Sequence, residues 1–327
     1  MTKMERSSLF WAIYKNLEEE TLSVFDYVHC TDNQFQVYSM HIADLVVRSV
    51  IEIESLSKEI YRNLKSISDV NLPEGYVLKE ETDNNFLMFD SDCLNLLNRL
   101  WGLDKKIIII ASSKCFLNNE ENRCLRPLKN AGKKGKHGAL WNKAYQALKH
   151  DRFKKLDKGN IKALLHAVGA LYLLNIYYMG EIIQLGDSKT SFDASMGSRL
   201  FSVVDYDVRN IGINGNKITL PVKNENEKIE AATYILKVDD YELPRYIKSF
   251  HEDVADANKR LYNSKEYQEY IRTHPDSANK DPYEIVKDTG LNLNQFFTMN
   301  RFLRVYSGLK FIAVLNKNQP LYPSELI

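Results

Sequence analysis

The 327-residue sequence is poor in proline and glycine, with 8 Pro and 14 Gly. Because turn-dense β architectures need both residues often, their scarcity favours helices. An apolar fraction of 44% and a charged fraction of 27% exclude an intrinsically disordered chain. The length is sufficient for one large domain or two ordinary ones.

Cysteine is also scarce, with four residues in the whole chain. The closest pair, Cys115 and Cys124, lacks zinc-ligand spacing, and no two histidines have the helical spacing of metal ligands. The sequence has neither a phosphate-binding glycine loop nor a serine nucleophile elbow. We therefore predict free thiols, no metal and no cofactor. The start of the sequence lacks a secretory hydrophobic segment, so we expect a cytoplasmic protein.

Only residues 161–183 approach the roughly 20 apolar residues that a membrane-spanning helix needs. Lys162 stands at the start of this run, and His166, Asn175 and Glu181 interrupt it. The pattern predicts a helix that is buried all round inside a bundle, and no membrane partner.

Hydrophobic periodicity predicts helices in the first part of the chain at residues 8–16, 34–64, 93–101, 140–152 and 160–185. The isoleucine run at 105–111 predicts a buried strand or an extended linker, between which so short an apolar run does not decide. The Gly-Lys segment 130–138 predicts a flexible loop that does not pack. Beyond residue 190 we predict strands at 217–222 and 231–238 joined by a polar link, a charged helix at 241–270, a loop at 273–282 and a final helix at 291–315. The fold class is mainly α, with a helical bundle at 1–188 and a smaller α+β region at 189–327.

The strongest feature of the sequence is the basic segment, residues 126–162. It contains twelve Lys and Arg but only two Asp, an excess of ten positive charges in a chain whose net charge is +1. Such a local field attracts polyanions, RNA among them. The predicted RNA contacts are Lys133, Lys134, Lys136, Lys143, Lys154 and Lys155. A solvated lysine-rich surface with no ligand is the alternative interpretation.

Within this segment, helical spacing places Trp141, Tyr145, Leu148 and Arg152 near one face, which we expect to pack into the bundle. On the adjacent face of the helix, the same spacing predicts a polar strip of Asn142, Gln146 and either Lys149 or His150. Positive neighbours favour a neutral imidazole at His150, which is a requirement for a general base. The alternative is that His150 only caps the end of the helix.

Asp44, Arg48 and Glu52 recur at intervals of four on the second predicted helix. Polar groups amid aliphatic residues should be paired when they are buried. We therefore predict a structural polar network, formed among these three residues or with Lys149 or Arg152 of a neighbouring helix.

Several short motifs recur together between residues 35 and 185: Tyr38-Ser39, Ala43-Asp44-Leu45, Glu52-Ile53-Glu54 with Lys58, Trp141, Tyr145, and Lys149-His150-Asp151-Arg152 before an apolar helix. This pattern resembles a group of uncharacterised bacterial helical proteins, which in turn resemble the HEPN superfamily. The superfamily consists of small helical bundles that often dimerise. It includes many metal-independent ribonucleases of phage-defence and toxin systems.

The resemblance implies a catalytic set of His150, Arg152 and Lys149. The His would help to activate a ribose 2′-hydroxyl, while cations stabilise the phosphorane. It also implies a homodimer and a second protein of a defence system as partners. Nuclease members carry an Arg, then four to six residues, then the His. Here no Arg occupies that spacing: Lys143, with six residues between, is the nearest basic substitute, and Arg152 follows the His. The alternative is therefore a non-catalytic partner-binding or sensor module.

Arg245 and His251 match the nuclease spacing, but they lie outside the region of resemblance. About one such match is expected by chance in a chain of this composition. We retain this pair as a second, weaker catalytic candidate.

Overall fold

The computed structural model describes residues 3–65, 72–73, 76–82, 85–187, 191–208, 224–277, 285, 296, 304–305 and 307–319. The fold is mainly α, as predicted. The chain divides into two units that are discontinuous in sequence. The first comprises Met1–Ile183, Phe192–Leu236 and Ala313–Gln319, and the second comprises Gln184–Ser191, Lys237–Ile312 and Pro320–Ile327.

The first unit is built around a set of packed helices. Their bounds are α1 (Lys3–Val24), α2 (Met40–Lys65), α3 (Asn95–Trp101), α4 (Glu120–Arg123), α5 (Leu140–Lys155), α6 (Ile161–Met179) and α7 (Glu225–Ala231). A π-helical turn, Phe89–Leu94, leads into α3. Helix α6 packs against α1, α2 and α5, so the bundle surrounds it.

Helix α6 forms because its ends are capped and its surface is apolar all round. The Asn160 side chain accepts a hydrogen bond from the Ala163 amide at 3.0 Å, and Gly180 closes the helix with a φ of +67°. The predicted helix at 160–185 was therefore too long, because the left-handed Gly180 ends it and Ile183–Gly186 is a strand. Among the described helices, α6 alone is long and apolar enough to span a membrane. Since 89% of its most apolar window is buried, a core helix accounts for it.

Short strands complete the first unit. They are β1 (Cys30–Thr31), β2 (Ile108–Ile110), β3 (Cys115–Phe116), β4 (Cys124–Leu125), β5 (Ile183–Gly186), β6 (Phe201–Val203), β7 (Asp205–Asp207) and β8 (Tyr234–Val238), of which β5 and β8 continue into the second unit. The predicted isoleucine strand is confirmed, since β2 lies between β4 and β6 in an antiparallel sheet with Ile108 opposite both Leu125 and Val203. Strands β1 and β3 are parallel, as are β7 and β8.

A buried carboxylate fixes the segment before β6 onto α1. Glu18 is 1% exposed and accepts hydrogen bonds from the hydroxyls of Tyr14 and Ser198 and from the backbone amides of Arg199 and Leu200. Burial alone would raise the pKa of Glu18, but hydrogen bonds from Lys15, Ser198 and Tyr14 outweigh it and lower the pKa.

Three predictions for the part of the chain beyond residue 190 need correction or fall outside the described residues. The polar link predicted between two strands contains α7, because the Asn224 side chain caps that helix by accepting the Glu227 amide at 3.0 Å. The charged helix is two helices, α8 (Leu243–Tyr262) and α9 (Lys265–Thr273), divided at the capping residue Ser264. The strand predicted at 217–222 lies outside the described residues.

The final helix predicted at 291–315 is wrong at its end. Residues Phe311–Leu315 form strand β9, and most of the preceding part lies outside the described residues. A short apolar run such as Phe-Ile-Ala-Val-Leu has no periodicity that separates a buried strand from a buried helix.

Candidate nucleic-acid interface

The basic segment forms a loop, the whole of α5, a short 3-10 turn (Leu156–Lys158) and the first turn of α6. Its lysines face solvent. All six lysines predicted to contact RNA are exposed, namely Lys133, Lys134, Lys136, Lys143, Lys154 and Lys155. Exposure leaves their charges available to an anionic ligand and costs no desolvation on folding.

The loop at 130–138 is packed, which corrects the prediction of a flexible loop. Ala131 is fully buried and Gly138 is buried, while Gly135–His137 form a 3-10 turn. Gly132 lies so close to α3 that a Cβ atom there would be 2.7 Å from the Asn95 Cα atom. The backbone of the loop is therefore held in place beneath the exposed lysines.

One face of α5 anchors the basic segment to the core. Trp141 is fully buried and its indole N–H donates to the Pro127 carbonyl at 2.8 Å. Asn142 is 4% exposed, so it lies in the core and not in the predicted polar strip. The amide of Gln146 lies 3.5 Å from the Asn142 carbonyl oxygen.

The opposite face of α5 is polar and exposed. Lys143, Gln146 and His150 follow one another at helical intervals of three and four, with Lys149 beside them. Beyond this point Phe153 is 96% exposed, between Arg152 and Lys154. We define the α5 strip as the exposed set Lys143, Gln146, Lys149, His150, Phe153, Lys154 and Lys155.

Helix α5 is broken at Asp151, where φ is −153° and ψ is 65°. The Asp151 carboxylate accepts a long hydrogen bond, 3.4 Å, from the Lys154 amide and so caps the last turn. The break removes Arg152 from the face of Trp141 and Leu148, which corrects the predicted continuous helix. Arg152 reaches α2, where its guanidinium donates to Asp44 at 2.6 Å.

The three proposed catalytic residues differ in exposure and in their partners. His150 and Lys149 are exposed on the α5 strip, and the Lys149 ammonium lies 5.7 Å from the centroid of the Tyr145 ring. Within the part of the chain that the structure describes, no hydrogen bond or ion pair joins the His150 ring to a carboxylate or to Arg152. His150 is thus open to a ligand, whereas Arg152 is engaged by Asp44.

The predicted polar set on α2 connects that helix to its neighbours. Arg48 forms a bidentate pair with Glu20 of α1, at 2.6 and 2.7 Å, which the sequence pattern did not indicate. Burial raises the pKa of Glu52, and the nearby Arg48 charge opposes this shift. With the Asp44–Arg152 pair, α2 is linked by ion pairs to both α1 and α5.

Arg245 and His251 both lie on α8 and both are exposed. Six residues of α-helix separate two side chains by about 240° around the axis and about 9 Å along it. The Arg245 guanidinium is 3.9 Å from the carboxylate of Glu242. The helix therefore does not bring this pair together.

Comparison with models of known families, with curated proteins and with solved structures gives no match. A function for this protein must therefore be inferred from the exposed side chains of α5. Among the described residues no group of three His, Cys, Asp or Glu side chains is placed to bind a metal ion.

Phe153 is the residue of this surface that the sequence interpretation missed. Of the aromatic residues in this segment, the sequence interpretation considered only Trp141 and Tyr145, and Phe153 follows the helical motif directly. The available signal was its position among cations, since five residues that carry or can gain a positive charge lie within seven positions: Lys149, His150, Arg152, Lys154 and Lys155. An aromatic ring beside cations is the combination on which single-stranded nucleic acids stack and bind.

Proposed function

We propose that the first unit is a HEPN-like helical bundle that binds RNA along the α5 strip and the adjoining loop lysines Lys133, Lys134 and Lys136. The observation that carries the proposal is the exposure of all six predicted lysines on a backbone that Trp141 and the packed loop hold fixed. Cations fixed at helical intervals can contact successive phosphates of one strand.

The exposed Phe153 ring favours unpaired RNA over duplex. Stacking of a base on an aromatic side chain contributes about 1–3 kcal/mol in single-strand binding proteins. Bases in an A-form helix are already stacked on each other and leave no face for the ring. Phe153 adds this interaction at the point where the cations of the last turn of α5 are densest.

Binding is tested by fluorescence anisotropy with a labelled single-stranded RNA and a duplex of equal length, across a series of KCl concentrations. The triple variant Lys149→Ala, Lys154→Ala, Lys155→Ala should weaken single-strand binding at least tenfold. It should also flatten the salt dependence, by about 0.7 in slope for each phosphate that the variant no longer neutralises. The matched control is Lys105→Ala, Lys228→Ala, Lys265→Ala, three exposed lysines outside the basic segment of the sequence.

The control variant should change affinity less than about twofold. An equal loss in both triple variants would show that binding depends only on total charge, and an unchanged strip variant would exclude the strip as the binding surface. Phe153→Ala should weaken single-strand binding and leave duplex binding unchanged.

A second candidate function is endonucleolytic cleavage of the bound RNA, and the exposed imidazole of His150 favours it. In this case His150 would accept the proton of a ribose 2′-hydroxyl while Lys149 neutralises the phosphate. The engagement of Arg152 by Asp44 favours the alternative, a non-catalytic binding or sensor module.

Cleavage is tested by incubating labelled RNA with the protein and with His150→Ala in the presence of EDTA. If His150 is the base, the variant should lose cleavage while keeping RNA affinity within about twofold. Equal cleavage by both proteins would remove the catalytic role. The HEPN resemblance adds the proposal of a cytoplasmic homodimer acting with a second defence protein, and mass photometry of the full chain tests the dimer.

A further inference from the structure

Two of the four cysteines face each other across a parallel strand pair. Cys30 of β1 and Cys115 of β3 are direct partners in the register, and both are free thiols. Neighbouring strands lie about 4.8 Å apart, which is within the Cα separation of roughly 4.4–6.8 Å that disulfides span. The register of the two strands is therefore compatible with a covalent bond between these two residues.

Contacts on both sides of the pair hold the two segments together. Before β3, the Lys114 ammonium binds the Asp26 carboxylate and the Leu22 carbonyl. After β1, Asp32 accepts hydrogen bonds from the backbone amides of Asn118 and Asn119 and from the Asn122 side chain, at 2.9, 3.3 and 2.9 Å. The thiols are thus kept opposite each other before any bond forms between them.

The two thiols differ in their access to solvent. Cys30 is fully buried, whereas Cys115 is partly exposed and is followed by Phe116, which is 58% exposed. A hydrogen bond with Cys115, together with burial, raises the pKa of the Cys30 thiol. An oxidant in solution therefore meets Cys115 first, and Cys30 lies behind it as the second thiol.

We propose that Cys30 and Cys115 form an oxidative modification site that closes reversibly to a disulfide when the protein meets a hydroperoxide. The Cys115 thiolate attacks the peroxide, so an S–O bond forms, the O–O bond breaks and an alcohol or water leaves. The Cys30 sulfur then attacks the sulfenic acid of Cys115. The S–S bond forms, the S–O bond breaks, and the departing hydroxide takes the Cys30 proton as water.

In this exchange two thiols lose two electrons and two protons, and one hydroperoxide is reduced. The bond closes a loop that contains residues 31–114, including the whole of α2. Because a closed loop of this length restricts the unfolded chain, oxidation should raise the melting temperature. The modification does not depend on RNA binding, so it stands or falls separately from the proposed function.

The test treats the folded full-length protein with hydrogen peroxide, quenches it, unfolds it and counts free thiols with a maleimide reagent. Two of the four thiols should be lost, peptide mapping should join Cys30 to Cys115, and the melting temperature should rise by several degrees until dithiothreitol is added. The double variant Cys93→Ser, Cys124→Ser is the matched control, since both residues are buried and neither faces another cysteine in the described strand pairs. This variant should still lose two thiols.

Cys115→Ser should abolish both the thiol loss and the thermal shift, and Cys30→Ser should leave Cys115 to oxidise without a partner. Retention of four thiols, a disulfide that involves Cys93 or Cys124, or a sulfinic acid at Cys115 with Cys30 still free would each overturn the proposal. If Cys30→Ser does not fold, peptide mapping of the wild type and the Cys115→Ser variant still decide the question.

Discussion

Helices α5 and α6 are consecutive in the chain, yet they differ in how many of their residues are buried. In α6 sixteen of the 19 residues are buried, whereas in α5 only Trp141, Asn142, Ala144 and Leu148 of 16 are. Both are α-helices of the same bundle, so the difference is in what surrounds them. Stability is concentrated in α6 and in the inner face of α5, which leaves the outer face of α5 free for a ligand.

Helix α6 packs closely against β2. A Cβ atom at Gly169 would lie 2.6 Å from the Cδ1 atom of Ile108, so an alanine there would require the Ile108 side chain to shift. Substitutions on the two helices should therefore separate stability from binding.

The largest expected effect contrasts two aromatic residues of α5. Trp141→Ala should lower the free energy of unfolding by about 3–5 kcal/mol, because it opens a cavity and leaves the Pro127 carbonyl without its donor. Phe153→Ala, at a ring that is 96% exposed, should change it by less than about 0.5 kcal/mol. Urea unfolding measures both. Similar losses for the two variants would contradict the division of α5 into an inner and an outer face.

The next prediction compares a histidine of each helix. Burial, with a smaller effect of the Lys162 charge, lowers the pKa of His166 in α6 to about 4. The unfolded chain, with a histidine pKa near 6.5, then binds more protons than the native state between about pH 6.5 and 4. Stability should therefore fall as the pH drops through this window, by up to about 3 kcal/mol from this residue.

His166→Asn should flatten the fall in the urea midpoint between pH 7 and pH 4.5. His150→Asn, at an exposed position of α5, is the matched control and should keep the wild-type pH dependence. The same pH profile in all three proteins would show that another group is responsible.

The junction between the two helices should have an intermediate effect. Gly159 packs on α2, where a Cβ atom would lie 2.6 Å from the Ala43 Cβ atom and 2.8 Å from its Cα atom. Because backbone cannot move aside as a flexible side chain does, Gly159→Ala should cost about 1–3 kcal/mol in thermal or urea unfolding. A Gly159→Ala, Ala43→Gly double variant should recover part of that loss, and no recovery would place the strain elsewhere.

The smallest effect on stability is expected at the Asp44–Arg152 pair. Both side chains are substantially exposed, so Asp44→Ala should change stability by less than about 1 kcal/mol. The same change removes a carboxylate that competes with phosphate for Arg152, so RNA affinity should rise several-fold in anisotropy measurements. Asp26→Ala, which removes an exposed carboxylate bound to Lys114, controls for net charge. An equal gain in both variants would mean that only net charge matters.

The elements that the sequence predicted well are those with a single dominant pattern. The continuous apolar surface of α6 can be satisfied only by burial, so its pattern was sufficient. The isoleucine run of β2 indicated burial, and its β-branched residues favoured a strand without deciding it. Strand β9 was missed because its five apolar residues have no diagnostic period. The packing of the loop at Gly132 was missed because it depends on the position of Asn95, which the local sequence does not encode.

For the candidate site, the sequence predicted which side chains are exposed but not where the helix breaks. The exposure of its lysines was expected, since lysine is rarely buried without a partner. The break at Asp151 was not, because aspartate within a helical pattern can either continue the helix or cap a new turn. The pairing of Arg152 with Asp44 is one of the alternatives predicted for the polar set of α2, and it engages a residue that the resemblance implied would act with His150 and Lys149.

The hydrogen bond from the Trp141 indole to the Pro127 carbonyl has a consequence for recognition. It ties the beginning of the basic segment to the helix that carries most of its charge, so the spacing between the cationic anchor points is set when the chain folds. The backbone positions that carry the cations therefore have a fixed spacing before any ligand binds. Discrimination between polyanions would then depend on how well the spacing of their charges matches the spacing of these cations, and the protein backbone would lose little entropy on binding.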